Sequence, residues 1–228
     1  MRRSLLSAAA LLASFSATVA RAEVVSVINT NSDGPGSFRA AIVAANADPG
    51  PTEIRFDIPT DVPEGPPAFN IYVTVPIPPI TAPVSIDSST QQATQVFIHN
   101  NTPAYTLVFT QGSPSSVLTS MHFRHGAILM EAPEVTIKDS DFVYTSMVFL
   151  DHESPTLYGD ATVAGSVLRN NTFINASLVD DTKVERLTLV GNTFVNADFH
   201  TTTVSTSVEE TVFDDNVFRC EAGKQFFQ

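Results

Sequence analysis

Short apolar and β-rich runs, separated by turn residues, follow one another along most of this chain. Five octets align without gaps, at 116–123, 135–142, 166–173, 187–194 and 211–218. The third place of each octet is apolar and the eighth is always phenylalanine, while the sixth is asparagine in the last three octets. The phenylalanines lie 19, 31, 21 and 24 residues apart. Repeats of this length, without a helical period, indicate a solenoid.

The octets predict an all-β fold, a parallel β-helix whose successive coils stack about 4.8 Å apart. Residues at one place of the octet then lie above one another, so the phenylalanines form an internal column beside the third-place column. The asparagines are predicted where the chain bends between two strands, because Asn tolerates a left-handed backbone and its amide can bond to the next coil. A leucine-rich repeat has a similar period, but its Leu-x-x-Leu-x-Leu pattern is absent.

The region that follows residue 22 has a strand-helix-strand pattern. Residues 24–28 and 54–58 predict strands. Between them, Ser37 can cap a helix whose apolar face consists of Phe38, Ala41, Ile42 and Ala45. This pattern predicts an N-terminal cap over 23–58 and a β-helix over 59–228. More than half of the 15 prolines lie in 59–83, which limits that stretch to edges, turns and a short strand at 71–75.

Residues 1–22 have the layout of a secretory signal peptide. Arg2 and Arg3 precede an apolar run at 5–13, and Ala20-Arg21-Ala22 is a small-x-small cleavage site. The run is shorter than the roughly 20 residues that cross a bilayer, although a retained membrane anchor is the alternative. Cleavage leaves 206 of the 228 residues, enough for one domain. The protein is therefore expected to be secreted, periplasmic or on the cell surface.

The remaining chain is strongly acidic. Without the three arginines of the signal it has 9 basic and 24 acidic residues, a formal charge of −15. Such a surface repels nucleic acid and anionic membranes, and it attracts divalent cations or basic partners, or simply keeps an exported protein soluble. Cys220 is the only cysteine, so no intrachain disulfide can form. We expect Cys220 to be buried as a small apolar residue.

One segment resembles a known group. The sequence NTNSDGPGSFRAAI at 29–42, with Ala45-Asn46-Ala47 and IRFDI at 54–58, resembles the N-terminal entry of bacterial exported right-handed β-helix proteins, often called CSLREA-domain or choice-of-anchor-type proteins. Residues 79–92 resemble their first coils. Phe38 stands where the family usually has leucine, and the family's initial cysteine is missing. The resemblance implies a right-handed parallel β-helix with a short capping helix over its open end, and little about activity.

Acidic residues and histidines follow the short strands that precede the later octets. The predicted acidic row consists of Glu131, Asp151, His152, Asp180, Asp181, Asp198 and His200. If the coils stack in register, carboxylates on adjacent coils repel each other unless a cation or solvent screens them. The row is therefore a candidate calcium site (Glu131, Asp151, Asp180 and Asp181) or substrate groove, and a series of solvated turns is the alternative. No cofactor other than calcium is expected.

A basic residue and a histidine pair are further candidates. The fourth place of the octets is predicted to face outward and includes Lys138 and Arg169, of which Arg169 is a candidate lyase base or anion contact. Scattered surface charge is the alternative. With Asp151, Asp180 and His200, Arg169 completes the candidate catalytic set. His122 and His125 form a His-x-x-His pair, which alone is a weak metal signature.

Two functions compete. The first is a non-catalytic exported β-helix that serves as a cell-surface, adhesion or carbohydrate-binding module, with a polysaccharide or an envelope component as partner. The alternative is a lyase or glycoside hydrolase that acts on an acidic polysaccharide. A third possibility is that the chain is the front part of a longer architecture. A bare last coil predicts either that Phe226 and Phe227 fold over it or that molecules associate end to end.

Overall fold

The computed structural model describes residues 22–60, 68–92, 94–149, 165–180, 187–201 and 212–220. Within these residues, 18 strands form two sheets and one α-helix lies near the N-terminal end. Every described pair of neighbouring strands is parallel. The described chain is therefore an all-β parallel solenoid, as the octets predict. No helix in these ranges is long and apolar enough to cross a membrane.

Sheet A forms the first wall of the solenoid. In stacking order its strands are β1 (Glu23–Val27), β2 (Thr52–Phe56), β4 (Val84–Asp87), β7 (Val117–Thr119), β9 (Thr136–Lys138), β11 (Val167–Arg169), β14 (Thr188–Val190) and β17 (Val212–Asp214). The two strands of the predicted cap, β1 and β2, are thus the first two strands of this sheet.

Sheet B forms the second and third walls. The second wall contains β3 (Ala68–Val73), β5 (Gln95–Asn100), the first halves of β8 (His122–Met130) and β10 (Asp141–Phe149), β12 (Thr172–Ile174), β15 (Thr193–Val195) and β18 (Val217–Arg219). The third wall contains β6 (Leu107–Phe109), the second halves of β8 and β10, β13 (Ser177–Asp180) and β16 (Asp198–Thr201). Both β8 and β10 continue through the corner between these walls, where His125 and Tyr144 have positive φ.

The interior is filled by the two columns that the octets predict. The third-place side chains pair in register and are fully buried at Leu118, Ile137, Leu168 and Leu189. The eighth-place phenylalanines also pair in register, at Phe123, Phe142, Phe173, Phe194 and Phe218. Their stacked rings have centroids 5.5, 4.9, 5.0 and 5.0 Å apart. The predicted aromatic column is confirmed.

The sixth-place asparagines form a hydrogen-bonded ladder between coils. The side-chain amide of Asn192 donates to Leu168 O at 2.9 Å, and its oxygen accepts the backbone N–H of Asn171 at 2.9 Å. Asn171 donates in the same way to Ile137 O, also at 2.9 Å. Asn171 and Asn192 are buried, so each amide satisfies backbone groups that would otherwise lack a partner away from water.

The left-handed backbone lies one residue earlier than predicted. Positive φ values occur at the fifth place of the octets, at Ser120 (56°), Asp139 (53°), Asn170 (53°), Gly191 (66°) and Asp215 (50°). The expectation that the ladder asparagines themselves take this conformation is wrong. The fifth residue makes the turn, and the sixth residue is then placed to direct its amide along the stack.

The corners of the solenoid differ in length. From β7 onward, two residues always connect the first wall to the second, as at 170–171 and 191–192. The connections from the third wall back to the first vary, for example 131–135 after β8 and 150–166 after β10. This third corner therefore accounts for the unequal spacing of the phenylalanines.

The helix α1 (Phe38–Ala47) packs over the start of the stack. Ser37 is its N-cap and accepts a hydrogen bond from Ala40 N at 3.1 Å, and the predicted apolar face is buried. The Phe38 ring lies 5.6 Å from that of Phe56 in β2. Because α1 lies in the chain between β1 and β2, it occupies the place where the first turn would otherwise continue into sheet B.

The last described coil differs from the others in exposure. The inward-facing Phe213 and Phe218 are 46% and 40% exposed. Cys220, which was expected to be buried, is exposed just after β18. Phe226 and Phe227, the predicted covering residues, lie outside the described residues. The predicted signal peptide also lies outside them, apart from Ala22.

Candidate functional site

Aromatic and titratable side chains concentrate on the outer surface of the second wall. We define the aromatic–histidine face as Tyr72, Phe97, His99, His122, Arg124, His125, Asp141 and Tyr144. Its members come from β3, β5, β8 and β10, four strands that are neighbours in sheet B. Inward residues such as Ile71, Ile98 and Phe123 alternate with them and anchor the strands in the core.

Parallel register assembles this face from two outward columns. Asn70, Phe97, His122 and Asp141 form the first column, and Tyr72, His99, Arg124 and Val143 form the second. Each step along a column is the spacing of one coil, about 4.8 Å. Side chains that are far apart in the sequence therefore contact one another along the solenoid axis.

Tyr72 and His99 form a stacked pair at one end of the face. Their ring centroids are 4.7 Å apart and their planes differ by 27°. His99 Nε2 lies 2.8 Å from Asn70 Oδ1, so Asn70, a member of the first column, orients the imidazole ring. Tyr72 remains 50% exposed. The pair thus presents an aromatic surface that is held in position but open to solvent.

Phe97 supports the centre of the face. The Cζ atom of Arg124 lies 4.6 Å from the centroid of the Phe97 ring, within the range of a cation–π contact. The ring of His122 is 5.1 Å from the same ring. Arg124 Nη1 also donates to Phe123 O at 3.1 Å. The guanidinium is therefore fixed in place, and this hydrogen bond uses only one of its five N–H donors.

His122 is paired with the carboxylate of the next coil. Its Nδ1 lies 2.8 Å from Asp141 Oδ2, and the His122 side chain is 11% exposed against 38% for Asp141. The hydrogen bond from His122 lowers the pKa of Asp141 below its ordinary value, against an opposing effect of burial, and Arg124 contributes further. Asp141 is therefore ionised at neutral pH and holds one imidazole nitrogen of His122.

A second stacked pair lies at the corner between the second and third walls. The rings of His125 and Tyr144 are 5.6 Å apart with planes 7° from parallel, and Tyr144 is 56% exposed.

Burial lowers the pKa of His99, and the charges of Arg124 and His125 lower it further. His99 is thus neutral at neutral pH.

The described members of the predicted acidic row do not share one register position. Asp180 pairs with Phe149, which in turn pairs with Met130, so Glu131 lies one residue beyond that position. His200 pairs with Val179, one residue before it. The expected alignment is therefore wrong, because Glu131, Asp180 and His200 stand eight, seven and six residues after the phenylalanine of the preceding octet. Asp198 pairs with Ser177, at the start of the strand. Asp151, His152 and Asp181 lie outside the described residues.

Arg169 lies on a different wall from the rest of the candidate catalytic set. It is exposed at the end of β11 in sheet A, beside Lys138 and Val190, so the fourth place of the octets does face outward. Asp180 and His200 lie in sheet B. Within the described residues, no three His, Cys, Asp or Glu side chains form a group that could hold a metal ion. The candidate roles of Arg169 and of the acidic row remain predictions.

The sequence singles out only His122 and His125 of the aromatic–histidine face, because its other members occupy the seventh place of the second octet, the residues just after the first two octets and two earlier strands. His122 and Asp141 hold that seventh place in the first two octets, where the later octets have Thr172 and Thr193. The change from charged to neutral residues at one outward place was the available signal. Tyr72 and Phe97 precede the octets and could be aligned with them only through the parallel register.

The chain matches no protein-family model, and no curated protein matches it.

Proposed function

We propose that this protein is an exported, non-catalytic β-helix protein that binds a saccharide along the aromatic–histidine face. The observation that carries the proposal is the exposed Tyr72–His99 stack next to the Arg124 guanidinium, on a flat wall of parallel strands. Pyranose rings have an apolar face of C–H groups and a rim of hydroxyls. Aromatic ring faces pack against the former, while His, Arg and Asp side chains bond to the latter.

The regular spacing of the face supports a polymeric ligand over a single sugar. Tyr72, His99 and Arg124 lie on successive coils, so the same distance separates each contact from the next. The rings of an extended polysaccharide repeat at a comparable interval. A chain that lies along the solenoid axis can therefore meet one coil with each sugar.

The signal-like residues 1–22 and the resemblance of 29–58 to exported β-helix proteins support export to the periplasm, the cell surface or the medium. We infer a right-handed solenoid, because parallel strands within one sheet are connected right-handedly in almost all proteins. An adhesion or envelope role is consistent with the proposed saccharide contact.

A binding screen with neutral and acidic oligosaccharides tests the proposal. Tyr72→Ala removes the exposed half of the stacked pair and is expected to weaken binding of any retained ligand by roughly tenfold, the effect of one aromatic contact. Tyr105→Ala is the matched control, since Tyr105 is 38% exposed in the loop after β5 and is not a member of the face. Absence of binding across the screen, or equal loss in both variants, contradicts the proposal.

The His122–Asp141 pair favours one alternative, a polysaccharide lyase or glycoside hydrolase. A carboxylate that orients an imidazole is the arrangement that many general bases require, and Arg124 lies beside it. Assay of uronate polymers for unsaturated or shortened products, with and without calcium, separates the two functions. The binding proposal expects no product, whereas product that Asp141→Asn abolishes establishes the enzyme.

A further inference from the structure

The aromatic–histidine face has few carboxylates for a protein that is acidic overall. Across the described residues of β3, β5, β8, β10 and β12, its titratable groups are Tyr72, His99, His122, Arg124, His125, Asp141 and Tyr144. Asp141 is the one carboxylate among them, and His122 already bonds to it. The chain as a whole carries a formal charge of −12. An anionic ligand therefore meets less repulsion at this face than elsewhere on the acidic chain, and the Arg124 guanidinium attracts it there.

We propose that the saccharide bound here is a carboxylated one, a polymer of uronic acid, and that its carboxylate lies between Arg124 and His99. This inference depends on the proposed function, because it assigns the chemical class of the ligand at the same face. Arg124 and His99 are paired in register on adjacent strands, so one carboxylate can reach both side chains.

Arg124 has the donors that a carboxylate requires. Within the described residues its one hydrogen bond goes to Phe123 O, and Phe97 covers one face of the guanidinium. The planar fork of an Arg side chain can bind both oxygens of a carboxylate, whereas a neutral sugar offers it only single hydroxyls. Contact with Phe97 also fixes the guanidinium in advance, which reduces the entropy lost on binding.

Proton uptake by His99 makes the binding depend on pH. In the free protein, burial and the charges of Arg124 and His125 hold the pKa of His99 below its ordinary value. A carboxylate beside Arg124 offsets that positive charge and raises the pKa of His99 in the complex. The complex then holds a proton that the free protein lacks, so affinity increases as the pH falls between the two values.

Calorimetric titration of the full chain with an oligogalacturonate and with a neutral galacto-oligosaccharide of equal length tests this inference. We expect at least roughly tenfold tighter binding of the acidic ligand, and tighter binding at about pH 5 than at about pH 8. Arg124→Gln is expected to remove this preference, because it weakens the acidic ligand, which uses both prongs of the guanidinium, far more than the neutral ligand, which loses a single hydroxyl contact. Arg124→Lys, which keeps the charge without the fork, should retain only part of it. Arg169→Gln on sheet A is the matched control, and circular dichroism verifies that each variant folds.

The outcomes separate the two proposals. If the neutral ligand binds as tightly as the acidic one, or if Arg124→Gln retains the preference, the uronate assignment is wrong while saccharide binding stands. If affinity for the acidic ligand does not change with pH, the role of His99 is wrong. If neither ligand binds, both proposals fail together.

Discussion

His122 Nδ1 lies 2.8 Å from Asp141 Oδ2, a contact between two residues that occupy the same place on successive coils. The contact joins the third and fourth strands of the second wall at its outer surface. Phe97 packs against the imidazole from the preceding strand. The pair therefore links three coils of the aromatic–histidine face through side chains alone.

Asp141→Asn is expected to destabilise the protein at neutral pH and to have less effect in acid. The pKa of Asp141 is lowered in the folded protein, chiefly by the bond from His122, so its ionised form stabilises the fold. That contribution is complete above the unfolded pKa of about 3.9 and disappears as the pH falls through the lower folded value. Since the carboxylate is 38% exposed, we expect a loss of less than about 1 kcal/mol.

Urea unfolding at several pH values measures this difference. Asp214→Asn, at the exposed end of β17, serves as the control because no histidine among the described residues donates a hydrogen bond to it. A destabilisation by Asp141→Asn that is the same at pH about 3 and about 6 would show that ionisation is not its cause.

Asn192→Ala is expected to destabilise the protein strongly, because Asn192 is buried and hydrogen-bonded to two neighbouring coils. It leaves Leu168 O and the backbone N–H of Asn171 without their buried partners. Each of the two unsatisfied buried groups costs about 1–3 kcal/mol, so a total loss of roughly 2–6 kcal/mol is expected. Thermal unfolding against Asn101→Ala, an exposed asparagine after β5, provides the comparison. Similar melting temperatures for the two variants would contradict a structural ladder.

Phe173→Ala is expected to remove about 3–5 kcal/mol of stability, because the ring is fully buried and stacked on both sides. Phe218→Ala deletes the same atoms at the last described coil, where the ring is 40% exposed, and should cost clearly less. Equilibrium denaturation of both variants measures the two losses in the free energy of unfolding. Equal losses would mean that Phe218 is as well covered in solution as Phe173.

Gly126→Ala is expected to disturb the corner beside the aromatic–histidine face. Gly126 has φ +95°, and a Cβ atom there would lie 2.5 Å from Thr106 Oγ1 and 2.6 Å from Asn100 Nδ2. Gly34 has a similar φ of +90° with nothing within 4 Å, so Gly34→Ala reports the backbone strain alone. We expect about 1–2 kcal/mol for Gly34→Ala and a larger loss for Gly126→Ala, measured by urea unfolding. A smaller loss at Gly126 would indicate that Thr106 and Asn100 move aside freely.

The fold could be predicted from the sequence because its determinants recur at fixed places. The octets align without gaps, so each of their places keeps the same position in every coil. These places hold the phenylalanines, the third-place residues and the ladder asparagines. The helix was equally clear, since Ser37 precedes a regular apolar face. Each of these signals is local, and each requires only that the coils repeat.

The site could not be predicted in the same way. The polar residues of the acidic row stand at different distances from the preceding octet, seven residues for Asp180 and six for His200, and this difference of one residue separates them in the register. The aromatic–histidine face depends on β3 and β5, which precede the first octet and share none of its pattern. Only the parallel register places Tyr72 and His99 in one column with Arg124.

The corners of the solenoid differ in how much change of length they tolerate. The corner between the first and second walls has a constant length, whereas the corner that returns to the first wall does not. Two residues between the first and second walls keep every ring and amide aligned, whereas the segment that returns to the first wall ranges from 131–135 to 150–166. A peptide epitope or a small tag inserted at that return should leave the stack undisturbed. The same insertion at 170–171 would rotate all later columns out of alignment. The third corner is thus the natural place to graft new sequence onto this protein.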